Sequence, residues 1–159
     1  MAEESLMEHV FESVMRLSMD RERVFAFFGD AGNLEKITPP ELRFEILTPH
    51  PMEMRAGALI DYRLRLLGIP FCWQTEITEW NPPYHFVDTQ RRGPYKQWIH
   101  RHTFHEEGGM TVIRDEVRYR LPFGLLGDIG CPFVRYQIGK IFRFREQAIR
   151  RILKSEETG

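Results

Sequence analysis

Two hydrophobic rhythms divide this chain. In its last long segment, apolar side chains recur at Val134, Ile138, Ile141, Phe142, Ala148, Ile149, Ile152 and Leu153. That is the i, i+3, i+4, i+7 spacing of one helix face. Arg135, Lys140, Arg143, Arg150, Arg151 and Lys154 fall mostly off the stripe. The segment opens on Cys131-Pro132, where a missing N–H does no harm at a helix start. From there to Leu153 it holds no further Pro and a single Gly, Gly139. The pattern predicts a helix over Cys131–Lys154, roughly 35 Å long. Arg145 falls within the apolar stripe, so it either snorkels outward or reaches into whatever space lies beneath. Such a helix needs a broad apolar partner, and the sequence ahead of it supplies mainly strands.

There the rhythm shortens to two. His9–Leu17 alternates, with Phe11, Met15 and Leu17 on one face, and reads as a first strand. Ser18 or Asp20 is placed to cap a short helix, Arg21–Phe28, whose buried candidates are Val24, Phe25, Phe27 and Phe28. Gly29-Asp30-Ala31-Gly32 ends it, and Asn33–Ile37 can add a turn or two of helix before Thr38-Pro39-Pro40. Arg43–Leu47 is the expected second strand and Leu59–Leu66 the third. In the third, Ile60, Tyr62, Leu64 and Leu66 share one face and Asp61, Arg63 and Arg65 the other, the mark of a sheet with one wet side. Leu67-Gly68-Ile69-Pro70 turns into Phe71–Trp80, and Asn81-Pro82-Pro83 leads to Tyr84–Arg91. Arg92-Gly93-Pro94 precedes Gln97–His105, and Gly108-Gly109 turns into Thr111–Leu121. Strands joined by turns, with no helix between them, argue for an antiparallel meander, about seven strands in all. In Tyr84–Arg91 the alternation leaves open whether Phe86, Asp88 and Gln90 or Val87, Thr89 and Arg91 face inward. No repeat, low-complexity tract or linker interrupts the pattern. Residues 1–159 are therefore expected to form one domain, with an ordered core over 8–154 and a frayed lead at residues 1–7.

Composition then works by exclusion. The chain is long enough for a real core, and with a formal net charge of −1 it offers no electrostatic case for nucleic acid or an anionic membrane. Arginine outnumbers lysine, but its positions alternate with apolar residues along strands, as on a solvated sheet face. Residues 1–8 lack the basic start and apolar run of a signal peptide. No window approaches the ~20 apolar residues of a transmembrane helix. Two cysteines, Cys72 and Cys131, make no disulfide framework. The expectation is a cytoplasmic protein, monomer or homodimer, with no nucleic-acid partner and no integral membrane association.

Chemistry concentrates in the last hairpin. If Gly108-Gly109 form a two-residue turn, as their freedom at positive φ allows, Arg101 opposes Glu116 and Thr103 opposes Arg114 on the wet face. The other face pairs Phe104 with Ile113, His102 with Asp115, His100 with Val117 and Trp98 with Tyr119. A slip of one residue would destroy both patterns. A carboxylate opposite an imidazole raises its basicity and fixes its tautomer, which suits a general base or a ligand anchor. The same pair can equally be a satisfied buried contact with no chemistry. His100-x-His102 with Asp115 has the ligand types of a two-His, one-carboxylate centre, but His105 points to the opposite face and two histidines at i, i+2 are a weak signal. No metal and no cofactor are expected. Cys131 sits where a helix N-terminus can activate a thiol, yet no His or Asp stands beside it in the sequence. There is no phosphate-cradling Gly loop, no Gly-x-Ser-x-Gly elbow and no CxxC. The apolar, Gly-containing stretch 121–130 can be a gate over a cavity mouth, a dimer contact or a packed loop.

The order strand, two short helices, long meander, long C-terminal helix resembles the helix-grip fold of the SRPBCC superfamily, which includes START lipid-binding domains, birch-pollen-allergen-like proteins and aromatic polyketide cyclases. The stretches that carry the likeness are Ser18–Phe28 with Asn33-Leu34-Glu35-Lys36-Ile37-Thr38-Pro39-Pro40, Gly93-Pro94-Tyr95, Trp98-x-His100-x-His102-x-Phe104, Asp115-Glu116-Val117-x-Tyr119 and Leu121-Pro122-Phe123-Gly124. They are similar to a bacterial ligand-binding or cyclase/dehydrase-like branch. The resemblance implies an α+β architecture: a curved antiparallel sheet with two short helices after strand 1 and the long helix packed across it. It also implies an internal apolar cavity walled by Tyr62, Leu64, Trp73, Trp98, His100, His102, Asp115, Tyr119, Ile138 and Phe142. The superfamily shares a cavity and no common catalytic set.

Three readings follow. In the first, the chain binds a hydrophobic or amphipathic small molecule such as a lipid, isoprenoid, quinone or polyketide, its polar end oriented by His100, His102 and Asp115. In the second, it is a cyclase/dehydrase-type enzyme in which His102, supported by Asp115, takes a proton from a carbon beside a carbonyl. In the third, a filled-core protein interacts through 121–130, with Leu125 and Leu126 at the contact.

Overall fold

The computed structural model describes residues 7–157; the lead at residues 1–6 and the side chains of Leu125 and Leu126 lie outside the described residues. Its strands are β1 (His9–Leu17), β2 (Glu45–Ile46), β3 (Leu59–Leu66), β4 (Ile69–Asn81), β5 (His85–Arg92), β6 (Gln97–Glu107) and β7 (Met110–Arg120). The helices are α1 (Arg21–Phe28), α2 (Leu125–Ile129) and α3 (Cys131–Glu157). All seven strands join one curved antiparallel sheet in the order β1-β7-β6-β5-β4-β3-β2, which closes the meander by returning β1 to the side of β7. This is the helix-grip architecture.

Local chemistry explains most boundaries. Leu67 and Gly68 make the β3–β4 turn with φ of 52° and 78°, the paired left-handed geometry that suits a right-twisted hairpin. Gly108 and Gly109 do the same between β6 and β7 at 58° and 76°. The register that follows sets Trp98 against Tyr119, His100 against Val117 and His102 against Asp115. Arg101 also stands opposite Glu116, but its guanidinium turns instead to Glu79 at 3.0 and 3.2 Å. At α1 the N-cap position falls to Asp20, whose side chain makes no capping bond; its carbonyl accepts from Val24 N–H.

Three expectations change. The turn or two of helix after α1 winds more tightly, as 3-10 turns at Ala31–Asn33, Glu35–Ile37 and Pro40–Leu42. The second strand shrinks from Arg43–Leu47 to two residues, because Arg43 closes the last of those turns at φ 45° and Leu47 N and Thr48 N both bond the same carbonyl, Asp61 O. Within 121–130, residues Leu125–Ile129 coil into α2 and feed α3. That junction is tight: a Cβ on Gly127 would lie 2.2 Å from the Pro122 carbonyl oxygen. Because the obstacle is backbone, Gly127→Ala is expected to destabilise by about 1–3 kcal/mol. A thermal melt should show a Tm lower by several degrees (about 2–4 °C per kcal/mol at this size), and an unchanged Tm would refute the close contact.

The sheet grips α3 in two different ways. Towards the C-terminus, Ala148, Ile149 and Leu153 press on Met15, Leu17, Phe104, Ile113 and the α1 residues Val24, Phe25 and Phe28 in a filled core. Phe25 meets Trp80, Phe86 and Phe104 at ring distances of 5.1, 5.7 and 5.1 Å, all near edge-to-face. Nearer its middle, α3 places Ile138, Ile141, Phe142 and Arg145 over the concave face of β3–β6, and here the interior is hollow. Among the described residues, no helix is long and apolar enough to cross a membrane.

Candidate functional site

Strand alternation builds the cavity. Every second residue of a strand faces the same way, so β3 contributes Ile60, Tyr62, Leu64 and Leu66, and β4 contributes Trp73, Thr75 and Ile77. Phe86 and Asp88 come from β5, and Trp98, His100 and His102 from β6. Phe28, Ala31, Leu34 and Thr38, from α1 and the turns behind it, close one side, and α3 forms the roof. The space is about 180 Å³ and mostly apolar-walled. Among the described side chains of 121–130, none contributes to this wall.

One corner is polar and deeply buried. His100 and His102 lie with ring centroids 3.7 Å apart, as i, i+2 neighbours on the inward face of one strand. Two carboxylates bracket them. Asp115 Oδ1, from β7 behind, is 2.8 Å from His100 Nε2 and 2.8 Å from His102 Nδ1. The first contact is a hydrogen bond; the second is close but off-axis, leaving Nδ1 without an aligned partner. On the cavity side, Asp88 Oδ2 bonds His102 Nε2 at 2.8 Å and lies 3.8 Å from His100 Nδ1. The Phe86 ring stacks on His102 at 4.1 Å.

This bracket pushes the two imidazoles apart. For His100, burial dominates, the neighbouring His102 charge adds to it, and its pKa falls despite the two carboxylates. For His102, burial also opposes charge, but contacts to Asp115 and Asp88 outweigh it and the pKa rises. Burial would raise Asp115, yet its bond to His100 and its close contact with His102 hold it far below the usual carboxylate range. Asp88 is likewise net lowered, burial being outweighed by His100, His102 and the more distant Arg145 charge. The corner thus favours two carboxylates and one shared imidazolium. Burial raises the Tyr62 phenol well above its ordinary value; the hydroxyl stays neutral and sits 3.1 Å from Thr75 Oγ1.

Three cavity-wall groups are left with unspent donors or unaligned polar atoms. Among the described residues, Trp73 Nε1, Arg145 Nε and His102 Nδ1 are all buried without a hydrogen-bond partner. Arg145 does not snorkel away from the wall. Its guanidinium carbon lies 6.0 Å above the Phe28 ring and 5.7 Å above that of Phe142. Asp88, His100 and His102 also offer three ligand atoms within 4.8 Å of one another. Those are the atoms that could hold a divalent cation, with Asp115 behind both rings as the orienting carboxylate.

Of the residues expected at the wall, Tyr62, Leu64, Trp73, Trp98, His100, His102, Ile138 and Phe142 come together around the cavity. Asp115 does not line it but supports both histidines from the far side. Tyr119 is fully buried in the neighbouring cluster with Val117, Leu121 and Ile138, its ring against Trp98, Tyr95 and His9. Asp88 is the polar group the sequence left undecided. Pairing with β6 sets Asp88 opposite His100 and Phe86 opposite His102, hence on the same face, which the pattern of β5 alone does not show.

A family profile described as polyketide cyclase/dehydrase and lipid transport matches residues 17–135. No curated protein matches the chain by sequence. Among solved structures, it is similar to a START superfamily protein from Mycobacterium smegmatis, at 12% identity, a TM-score of 0.71 and coverage of 92% of this chain and 98% of that one. Ginseng major latex-like protein 151 from Panax ginseng aligns at 13% identity and TM-score 0.65, covering 91% and 96%. The protein TTHA0849 from Thermus thermophilus aligns at 18% identity and TM-score 0.63, covering 91% and 99%. At these identities the likeness is one of fold.

Proposed function

Because this chain belongs to the polyketide cyclase/dehydrase and lipid transport family, we propose that its cavity binds a compact amphipathic molecule with a hydrogen-bond-accepting or acidic end. The observation that carries this reading is the pair of buried, unpartnered donors on the apolar wall, Trp73 Nε1 and Arg145 Nε. Buried polar groups normally find partners, and an occupant with an acceptor would supply them. Size narrows the class. An apolar cavity of ~150 Å³ holds a single aromatic ring, so a space of about 180 Å³ suits a small ring system or short isoprenoid, not a two-chain lipid.

The test is calorimetric titration with 2-naphthoate and its neutral counterpart 2-naphthol. Saturable one-to-one binding of at least one of them is expected. Ile141→Trp, which fills the cavity from the α3 side without adding charge, should weaken it about tenfold or more, the order of one lost ring-sized contact. If neither compound binds up to its solubility limit, or the filled variant binds equally well, the cavity is not a binding site.

A second reading rests on the two separated imidazole pKa values. Groups whose environments drive their pKa values apart divide acid and base roles. Lowered His100 would be the proton acceptor and raised His102 the donor in a cyclase- or dehydrase-type step at an occupant's carbonyl. Exchange of α-hydrogens of a bound ketone such as 2-acetylnaphthalene into deuterated water, lost in His100→Gln, would support it. Exchange no faster than in free solution would remove it.

A further inference from the structure

We propose that Cys131, His9 and Asp128 form a second site, an activated thiol that takes up soft carbon electrophiles covalently. It lies apart from the cavity, where three elements meet: His9 opens β1, Asp128 lies on α2, and Cys131 is the first residue of α3. Cys131 Sγ is 3.2 Å from His9 Nδ1, and His9 Nε2 is 3.0 Å from Asp128 Oδ1. This is a nucleophile, a base within reach of it, and a carboxylate that orients the base.

The tautomer follows from the contacts. An ionised carboxylate only accepts, so Asp128 draws the imidazole proton to Nε2 and leaves the Nδ1 lone pair facing the thiol. The His9 and Asp128 side chains are only 13% and 18% exposed, which shields their bond from competing water, and Cys131 is half-buried beside them. The Tyr119 ring packs on His9 at 5.4 Å and its hydroxyl stands 3.8 Å from Sγ, fencing the imidazole from the inner side.

The reaction class is conjugate addition to an α,β-unsaturated carbonyl. The Cys131 proton passes to His9 Nδ1, the sulfur bonds to the β-carbon, and the carbon–carbon double bond becomes an enolate. The imidazolium then returns the proton to the α-carbon. One S–C bond and one C–H bond form, one S–H bond and one π bond are lost, and no oxidant or leaving group is needed. His9 is the catalytic base, and Asp128 is a positioning residue acting through it.

Cys72 is an internal control, since it is a free and exposed thiol in the same chain. The native protein is treated at neutral pH with limiting acrylamide, and the two sites are followed separately by peptide mass spectrometry. Cys131 should react about tenfold or more faster than Cys72, the scale of activation by a paired base. His9→Gln should remove that advantage while leaving the Cys72 rate unchanged, with a cooperative thermal melt reporting that the fold persists. Asp128→Asn should slow Cys131 as well, and Asp128→Glu should restore part of the rate, a recovery that a merely structural contact would not show. Cys131 reacting no faster than Cys72, or at an unchanged rate in His9→Gln, overturns the proposal.

Discussion

Asp115→Ala is expected to cost about 3–5 kcal/mol of stability, the range for removing one partner from a buried charged cluster. At this chain length that lowers Tm by roughly 6–20 °C. The reason is that Asp115, only 6% exposed, serves both imidazoles with one oxygen. Without it His100 loses its hydrogen-bond acceptor and His102 keeps only Asp88. Asp115→Asn retains shape and one acceptor, so it should lose less, about 1–3 kcal/mol.

The gap between wild type and Asp115→Asn must also depend on pH, in a direction set by the linkage between protonation and folding. Asp115 is depressed in the fold, so its contribution is present above the unfolded carboxylate value of about 4 and fades as pH falls through its lower folded value. His102 is raised, so its contribution is complete below the unfolded imidazole value of about 6.5 and fades as pH rises through its folded value. The gap is therefore widest between about pH 4.5 and 6.5. Denaturant melts of both proteins from about pH 3 to about pH 9, which spans both sides of that window, check it. A gap that does not vary with pH contradicts a charged Asp115–His102 contact.

Arg145→Leu should separate the binding of acids from that of neutral analogues. In the wild type the guanidinium lies between Phe28 and Phe142 with Nε buried and unpartnered. A carboxylate reaching it gains a charge-assisted hydrogen bond, worth about 1.5–3 kcal/mol. Affinity for 2-naphthoate should thus fall by about 10- to 100-fold, while that for 2-naphthol changes little, since leucine keeps the apolar stem. Equal losses for both compounds would mean that Arg145 acts by shaping the roof and not by its charge.

Both predictions rest on residues that differ in how plainly the sequence announced them. The His102–Asp115 and His100–Val117 oppositions were readable, because two adjacent glycines locate the turn and a two-residue turn leaves one register. Asp88 was not, because its strand is bordered by prolines and mixes polar residues on both faces; only the neighbouring β6 decides which face is inward. Arg145 could be placed on the helix stripe but not given a direction, since a long side chain can turn either way until the roof it belongs to exists. The Cys131 neighbourhood was invisible. His9 lies 122 positions away from it in the chain, and Asp128 is close in number but turned towards it only by α2.

The sequence by itself determined the helix-grip order of elements, the α1 and α3 core faces, the β6–β7 register and the inward stripes of β3 and β6. Each follows from a period of 2 or 3.6 or from turn chemistry, which act over a few residues. Tertiary structure alone decided that the interior is filled under the end of α3 and hollow under its middle. It also decided that Asp88 completes the histidine bracket, that Arg145 turns to the cavity, and that His9 and Asp128 flank Cys131. These depend on how curved strands and a helix meet across long stretches of chain, and no local period encodes the distance between surfaces that only packing brings together.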